Sequence, residues 1–183
     1  MANDQALSAS EIKELLGLKE HPTCGFVYES FRSNVRIPNA DLPAAYGRDG
    51  SRAFGSVLYF LVTPDRHLCL HRIRADQMYH HYLGGPLDVL LLYPDGRGEI
   101  ATVGTDLRSG MRPQLFIPGG TFHVGRLRAG EPYALLGTTE WPAVEPSDVE
   151  IGDVDRLVVA FPTMREQIMR FAGTFDAAGK RSA

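Results

Sequence analysis

The residues best suited to chemistry lie in one stretch, "HRIRADQMYHHYLG", running from His71 to Gly84. Three histidines, two arginines, an aspartate and two tyrosines fall within fourteen residues. Such a set could hold a metal, move protons, or form the polar face of a strand. Strand alternation sorts it, because successive side chains point to opposite faces. With His71 inward, Cys69 and Ile73 are inward as well. After a turn at Arg74, Ala75 and Asp76, the residues Gln77, Tyr79 and His81 share a face, and His80 and Tyr82 point the other way. Asp76 could orient His71, although a turn aspartate commonly caps its own backbone.

Positioning these groups requires a scaffold, and the chain spells out a β-rich one. From Phe26 onward, short apolar runs recur: "FVYESF", "GSVLYFLV", "LCLHRI", "MYHHYL", "LDVLLLY", "EIATVG", "PQLFIP", "FHVGRL" and "YALLGTTE". Turn chemistry separates them, as at Thr63-Pro64-Asp65, Gly84-Gly85-Pro86, Pro94-Asp95-Gly96 and Pro118-Gly119-Gly120. Many short strands at this spacing predict a sandwich or barrel. No long helical pattern intervenes, which excludes a parallel α/β sheet. Ser8 and Glu11 form a capping box for a short N-terminal helix with Ile12, Leu15 and Leu16 on one face, ended by Gly17. Asp153 caps a C-terminal helix that Pro162 interrupts, and Met164, Ile168 and Phe171 continue its apolar face. Residues 34–55, with Pro38 and Pro43, read as a long irregular loop over a binding site.

Composition bounds the function classes. The 183 residues carry a formal charge of −3 with both signs interspersed, so neither nucleic acid nor a membrane is an expected partner. Cys24 and Cys69 lack metal spacing and read as small buried hydrophobes. No apolar run reaches the roughly 20 residues needed to span a bilayer, and "MANDQALSASEIKELL" lacks the pattern of a signal peptide. The expectation is a cytoplasmic protein. Residues 1–7 are expected to be a flexible N-terminus, 8–172 a single domain, and 173–183 a disordered tail.

Several blocks resemble the cupin superfamily. Its first motif, His-x-His followed by Glu and Gly, is similar to His71-x-Ile73, Gln77 and Gly84. Its second, Pro-x-Gly-x-x-His, is similar to Pro118, Gly120 and His123. Ile73 and Gln77 stand where the family places ligand His and Glu. A closer resemblance is to the branch called cupin family 5. It rests on His21, Pro22, Gly25, Glu29, Arg32 and Ser33, then on His71, Arg72, Asp76, His80 and Pro86, then on Gly110, Arg112, Pro113, Gln114, Pro118 and Gly120. "YALLGTTEWPAVEPSDVEIGD" resembles the branch's closing strand, so the similarity spans about residues 10–165. The resemblance implies an all-β fold: a double-stranded β-helix, or jelly-roll cupin barrel, with short N- and C-terminal helices. It also implies a homodimer, and a barrel mouth that binds a small molecule. In fold the branch resembles sugar-nucleotide epimerases.

Three functional readings follow from that resemblance. In the first, the barrel binds a sugar, nucleotide sugar or related polar metabolite and transfers a proton on it, like an isomerase or epimerase. His71 is then the candidate base, and Tyr79 and Tyr133 are candidate acids. In the second, His71, Gln77 and His123 hold one divalent metal (Zn, Fe, Mn or Ni) of an oxygenase or lyase. His81 lies about 13 Å along the strand from Gln77, too far to join that set. In the third, the domain binds a ligand without catalysis. Candidate ligand contacts are Arg72, Gln77, His81, Gln114, His123 and Glu29. Arg74, Arg112 and Arg126 are further candidates for clamping an anion. Glu29 with Arg32 is equally an ion pair at a dimer interface. Trp141, the single tryptophan, is a packing anchor or a platform for a ligand.

Overall fold

The computed structural model describes residues 7–172. The expected flexible N-terminus, over residues 1–6, and the expected disordered tail, 173–183, lie outside the described residues. Thirteen strands and three α-helices follow in order. Helix α1 (Ala9–Leu15) leads into β1 (Lys19–His21), β2 (Gly25–Arg32), β3 (Arg36–Pro38), β4 (Ser51–Ala53), β5 (Ser56–Val62), β6 (His71–Arg72) and β7 (Asp76–Gly84). Then come β8 (Leu87–Leu92), β9 (Gly98–Val103), β10 (Gln114–Ile117), β11 (Phe122–Leu127), β12 (Ala134–Trp141) and β13 (Glu150–Ile151). Helices α2 (Val154–Ala160) and α3 (Arg165–Ala172) close the fold.

Two antiparallel sheets face each other. One has the order β1-β2-β5-β12-β7-β10, the other β13-β6-β11-β8-β9. This is the jelly roll expected, built as two sheets that are not hydrogen-bonded into a closed barrel. Between them lies the main core: Phe60, Tyr79, Ile117 and Leu136 from one sheet meet Leu87, Val89, Leu91 and Val103 from the other. The run "LDVLLL" is apolar throughout because both faces of β8 are covered. Leu87, Val89 and Leu91 face the opposite sheet, and Leu90 and Leu92 face α2 and α3 through Leu157, Phe161, Ile168 and Phe171. Helix α1 carries the Ser8/Glu11 capping box and buries Ile12 against Leu61 and Leu135 on the outside of the larger sheet. Asp153 caps α2 by accepting from the Arg156 amide.

The expected loop over residues 34–55 is a folded unit. Strands β3 and β4 pair, and two short 3-10 turns lie between them. Asn39 Nδ2 donates to Asp49 O at 2.6 Å and ties the turns together. None of its residues lines the cavity described below. Side-chain to backbone bonds of this kind are invisible to a reading based on Pro and Gly content. Conversely, "LCLHRI" yields only the two-residue strand β6, because Leu68 to Leu70 cross between the sheets.

Candidate functional site

Register builds the site. Strands β7 and β12 pair so that Gln77 opposes Glu140 and Tyr79 opposes Thr138. In the other sheet, β6 and β11 pair His71 with His123. The inner faces meet around a cavity of about 490 Å³, lined by His71, Gln77, Tyr79, Thr138 and Glu140 over a floor that includes Phe60 and Ile73. Glu29, Arg32 and Glu145 form its rim. A bulge at Ser30 brings the rim pair together. Glu29 opposes Leu58 and Phe31 opposes Val57, so β2 holds one extra residue, and Glu29 and Arg32 both turn inward.

The two imidazoles are almost wholly buried, with ring centroids 4.3 Å apart. His71 Nδ1 lies 2.8 Å from Cys69 O, and His123 Nδ1 lies 3.1 Å from Thr121 O. A carbonyl only accepts, so each Nδ1 carries the hydrogen and each Nε2 presents a lone pair. Gln77 donates its Nε2 toward His123 Nε2 at 3.4 Å. Burial lowers the pKa of His71 to about 4, and burial together with neighbouring His71 pushes His123 well below its usual range. Both rings are therefore neutral at neutral pH.

Glu140 behaves oppositely. It is 8% exposed and accepts from Ser56 Oγ at 2.7 Å. Burial first, with the Glu29 carboxylate adding to it, raises its pKa to about 7 against the opposing hydrogen bond from Ser56 and charge of Arg32. The Tyr79 hydroxyl is held well above its ordinary range by burial and stays protonated. Thr138 Oγ1 is buried without a hydrogen-bond partner. Arg32 donates through Nε and Nη2 to Glu29, the latter at 2.8 Å, and through Nη1 to Glu145 at 3.0 Å.

Of the residues expected at the site, His71, Gln77, Tyr79 and Glu29 line the cavity, with His123 directly behind. Four lie elsewhere. Tyr133 is buried beneath α1 with Ile12 and Leu135, outside the larger sheet. His81 Nε2 is 3.0 Å from Gly85 O, farther along β7 than the residues that line the cavity. Gln114 approaches His80 Nδ1 at 3.2 Å on the outer face. Arg72 bonds Glu150 at 2.7 Å and stacks over Phe122, pointing away from His71 as alternation requires. Asp76 accepts from the Gly119 amide at 2.7 Å and does not touch His71. Arg74 pairs with Asp148, Arg112 with its neighbour's carbonyl, and Arg126 with Phe171 O. Trp141 stacks on Phe116 on the outer face.

Sequence reasoning missed Glu140 and Thr138. The signal was present: in "LLGTTEW", alternation puts Thr138 and Glu140 on the face of apolar Leu136, which makes an inward carboxyl. A resident metal does not fit the donors assembled here. Among the described residues, no three His, Cys, Asp or Glu side chains group as a metal site. The first motif lends His71 alone, since Ile73 offers no donor and Gln77 turns its amide nitrogen to His123.

Comparisons with known proteins agree with this architecture. Residues 10–152 match the family described as Cupin superfamily (DUF985). The uncharacterized protein YML079W of Saccharomyces cerevisiae is 29% identical over 131 residues, which cover 68% of this chain and 65% of that protein. A solved structure of a hypothetical protein from Leishmania major superposes with a TM-score of 0.78 at 24% identity, covering 91% of this chain and 99% of that one. Protein SO0799 from Shewanella oneidensis superposes with a TM-score of 0.77 at 25% identity, covering 91% and 98%. On the family match over most of its length, and with a jelly roll whose two cupin motifs meet at His71 and His123, the chain belongs to the cupin superfamily, in the family DUF985.

Proposed function

We propose that the cavity binds a small polar metabolite and transfers a proton on it, as an isomerase or epimerase does. The observation that carries this reading is Glu140, a buried carboxyl with a pKa of about 7 on the cavity wall. A general base is most effective when its pKa lies near the working pH. The base role expected of His71 passes to Glu140, because a ring with a pKa of about 4 holds a proton too weakly at neutral pH. In this reading the Glu140 carboxylate removes the proton from a carbon next to a carbonyl. The Tyr79 hydroxyl donates to the carbonyl oxygen as it gains charge. The protonated Glu140 returns the proton, on the same face, to the adjacent carbon of the enediol, which isomerises the substrate; epimerisation would need a second acid on the opposite face. His71 Nε2 accepts from a substrate hydroxyl and sets its orientation.

The test is wash-in of solvent deuterium. Aldoses, ketoses, amino sugars and nucleotide sugars are incubated with the protein in D₂O and followed by proton NMR. One class should lose its α-proton signal, at a rate that rises with pH through about 7. Glu140→Gln should slow exchange about 10²- to 10³-fold. Binding without exchange would replace catalysis with a pure binding role. As for assembly, we propose a homodimer through the outer face of the larger sheet, supported by Tyr28, Phe31, Phe116 and Trp141 exposed there.

A further inference from the structure

The charge on the cavity wall is lopsided. Three carboxyls, from Glu29, Glu140 and Glu145, line it, and Arg32 is the one guanidinium among the lining residues. Arg32 is not available to a ligand without rearrangement. All three of its nitrogens are engaged: Nε with Glu29, Nη1 with Glu145, and Nη2 with Glu29 and Val144 O. The imidazole of His71 adds no charge, because its Nδ1 hydrogen bonds Cys69 O and burial keeps the ring neutral. His21, also on the wall, is shifted the same way by burial.

Hydrogen-bonding capacity is lopsided too. His71 Nε2 presents a lone pair. Glu140 accepts from Ser56 and from the Val144 backbone amide, and a carboxylate, with about four lone-pair sites, retains acceptor capacity beyond these two. Thr138, 7% exposed, lines the cavity with a hydroxyl that has no partner in the protein. A hydroxyl in that position must find a ligand atom or water, since an unpaired buried polar group costs about 1–3 kcal/mol. An ammonium group offers three donors and no acceptor, which complements this set. An anion meets the reverse: it must displace a carboxylate from Arg32 or lie against Glu29 and Glu145 unpaired.

We propose that this cavity selects a cationic, amine-bearing polar ligand, such as an amino sugar or amino alcohol, and rejects phosphorylated sugars and nucleotide sugars. The inference rests on the cavity being a ligand site, as in the function proposed above, and it narrows the substrate class.

The test is a panel matched in skeleton and different in charge. D-glucosamine, D-glucose and D-glucose 6-phosphate form one set, and ethanolamine, ethylene glycol and glycolate a smaller one. Each is titrated at pH 7.5 by saturation-transfer NMR against the native protein and against Thr138→Phe, whose ring takes up the space beside Glu140 on the cavity wall. The amine should bind at least about tenfold more tightly than its anionic counterpart, the scale of one screened charge contact. Its signal should vanish in Thr138→Phe. Glu140→Gln, which keeps the shape and removes the charge, should weaken the amine about tenfold and leave the neutral member within about twofold. Glu140→Gln also serves as the arbiter should Thr138→Phe fail to fold. Tighter binding of the phosphate or glycolate would overturn the charge preference while leaving the cavity as a ligand site. No binding by any member, or binding that Thr138→Phe leaves intact, would overturn the ligand site itself and this inference with it.

Discussion

At the residue scale, Glu140 and His71 tie the candidate site to stability in opposite senses. Glu140 titrates at about 7 in the fold against an ordinary 4.5. Between those values the native state holds the extra proton, so this group lowers stability as pH rises, by about 3 kcal/mol in all. His71 titrates at about 4 against an ordinary 6.5. Its contribution is complete above 6.5 and is lost as pH falls toward 4, with a similar magnitude. Burial lowers His123 as well, so both histidines oppose Glu140 between pH 4.5 and 6.5, and native stability rises there less steeply than the histidines alone would make it. Glu140→Gln should unmask the histidine slope. Urea unfolding of that variant should show stability climbing steeply from pH 4.5 to 6.5, and at pH 8 it should exceed the native protein by up to about 3 kcal/mol. A variant no more stable than native at pH 8 would mean that Glu140 is not buried as a strained anion. Gln77 was legible as inward from alternation alone. Glu140 is equally legible as inward, on the face of Leu136, but it lies outside the two histidine motifs.

At the element scale, irregularities decide which side chains meet. The extra residue at Ser30 turns Glu29 and Arg32 to one side, although residues three apart on a regular strand face opposite ways. A second bulge, at Tyr82, lets β7 keep His81 opposite Leu136 while Tyr82 goes outward. The rim also depends on the turn Pro146–Asp148. Asp148 is buried and accepts from Arg52 Nη2 at 2.9 Å, from Arg74 Nη1 at 3.1 Å and from the Glu145 amide at 2.9 Å. It joins the β3–β4 hairpin to the segment that presents Glu145. Asp148→Ala would leave the Arg52 guanidinium buried without its partner, and should lower unfolding stability by about 3–5 kcal/mol. A loss under about 1 kcal/mol in chemical denaturation would show that Arg52 finds another partner or water. None of these links could be read from the chain, because Arg52 and Asp148 are 96 residues apart and nothing local pairs them.

At the scale of the whole molecule, among the described residues the outer face of the larger sheet is covered by α1 only at one end. Its open end displays Tyr28 and Phe31 on β2, Phe116 on β10 and Trp141 on β12. Sedimentation should find the native chain as a dimer, and Phe116→Lys with Trp141→Lys should shift it to monomer without lowering the melting temperature by more than a few degrees. A native protein that sediments as a monomer at micromolar concentration would remove the proposed assembly. No helix among the described residues is long and apolar enough to cross a membrane. A sandwich or barrel of short strands, its helical ends and the inward side of β6 and β7 follow from the sequence itself, and the jelly-roll topology is what the cupin resemblance implies. Apolar period, capping residues and turn chemistry are local, and each strand repeats the same instruction. The composition of the cavity was decided only in three dimensions. Glu140, Thr138, the Ser30 bulge and the Arg32 clamp depend on which strand lies beside which, and on how deeply each group is withdrawn from water. Those are properties of pairing across the chain, to which no single stretch of residues has access.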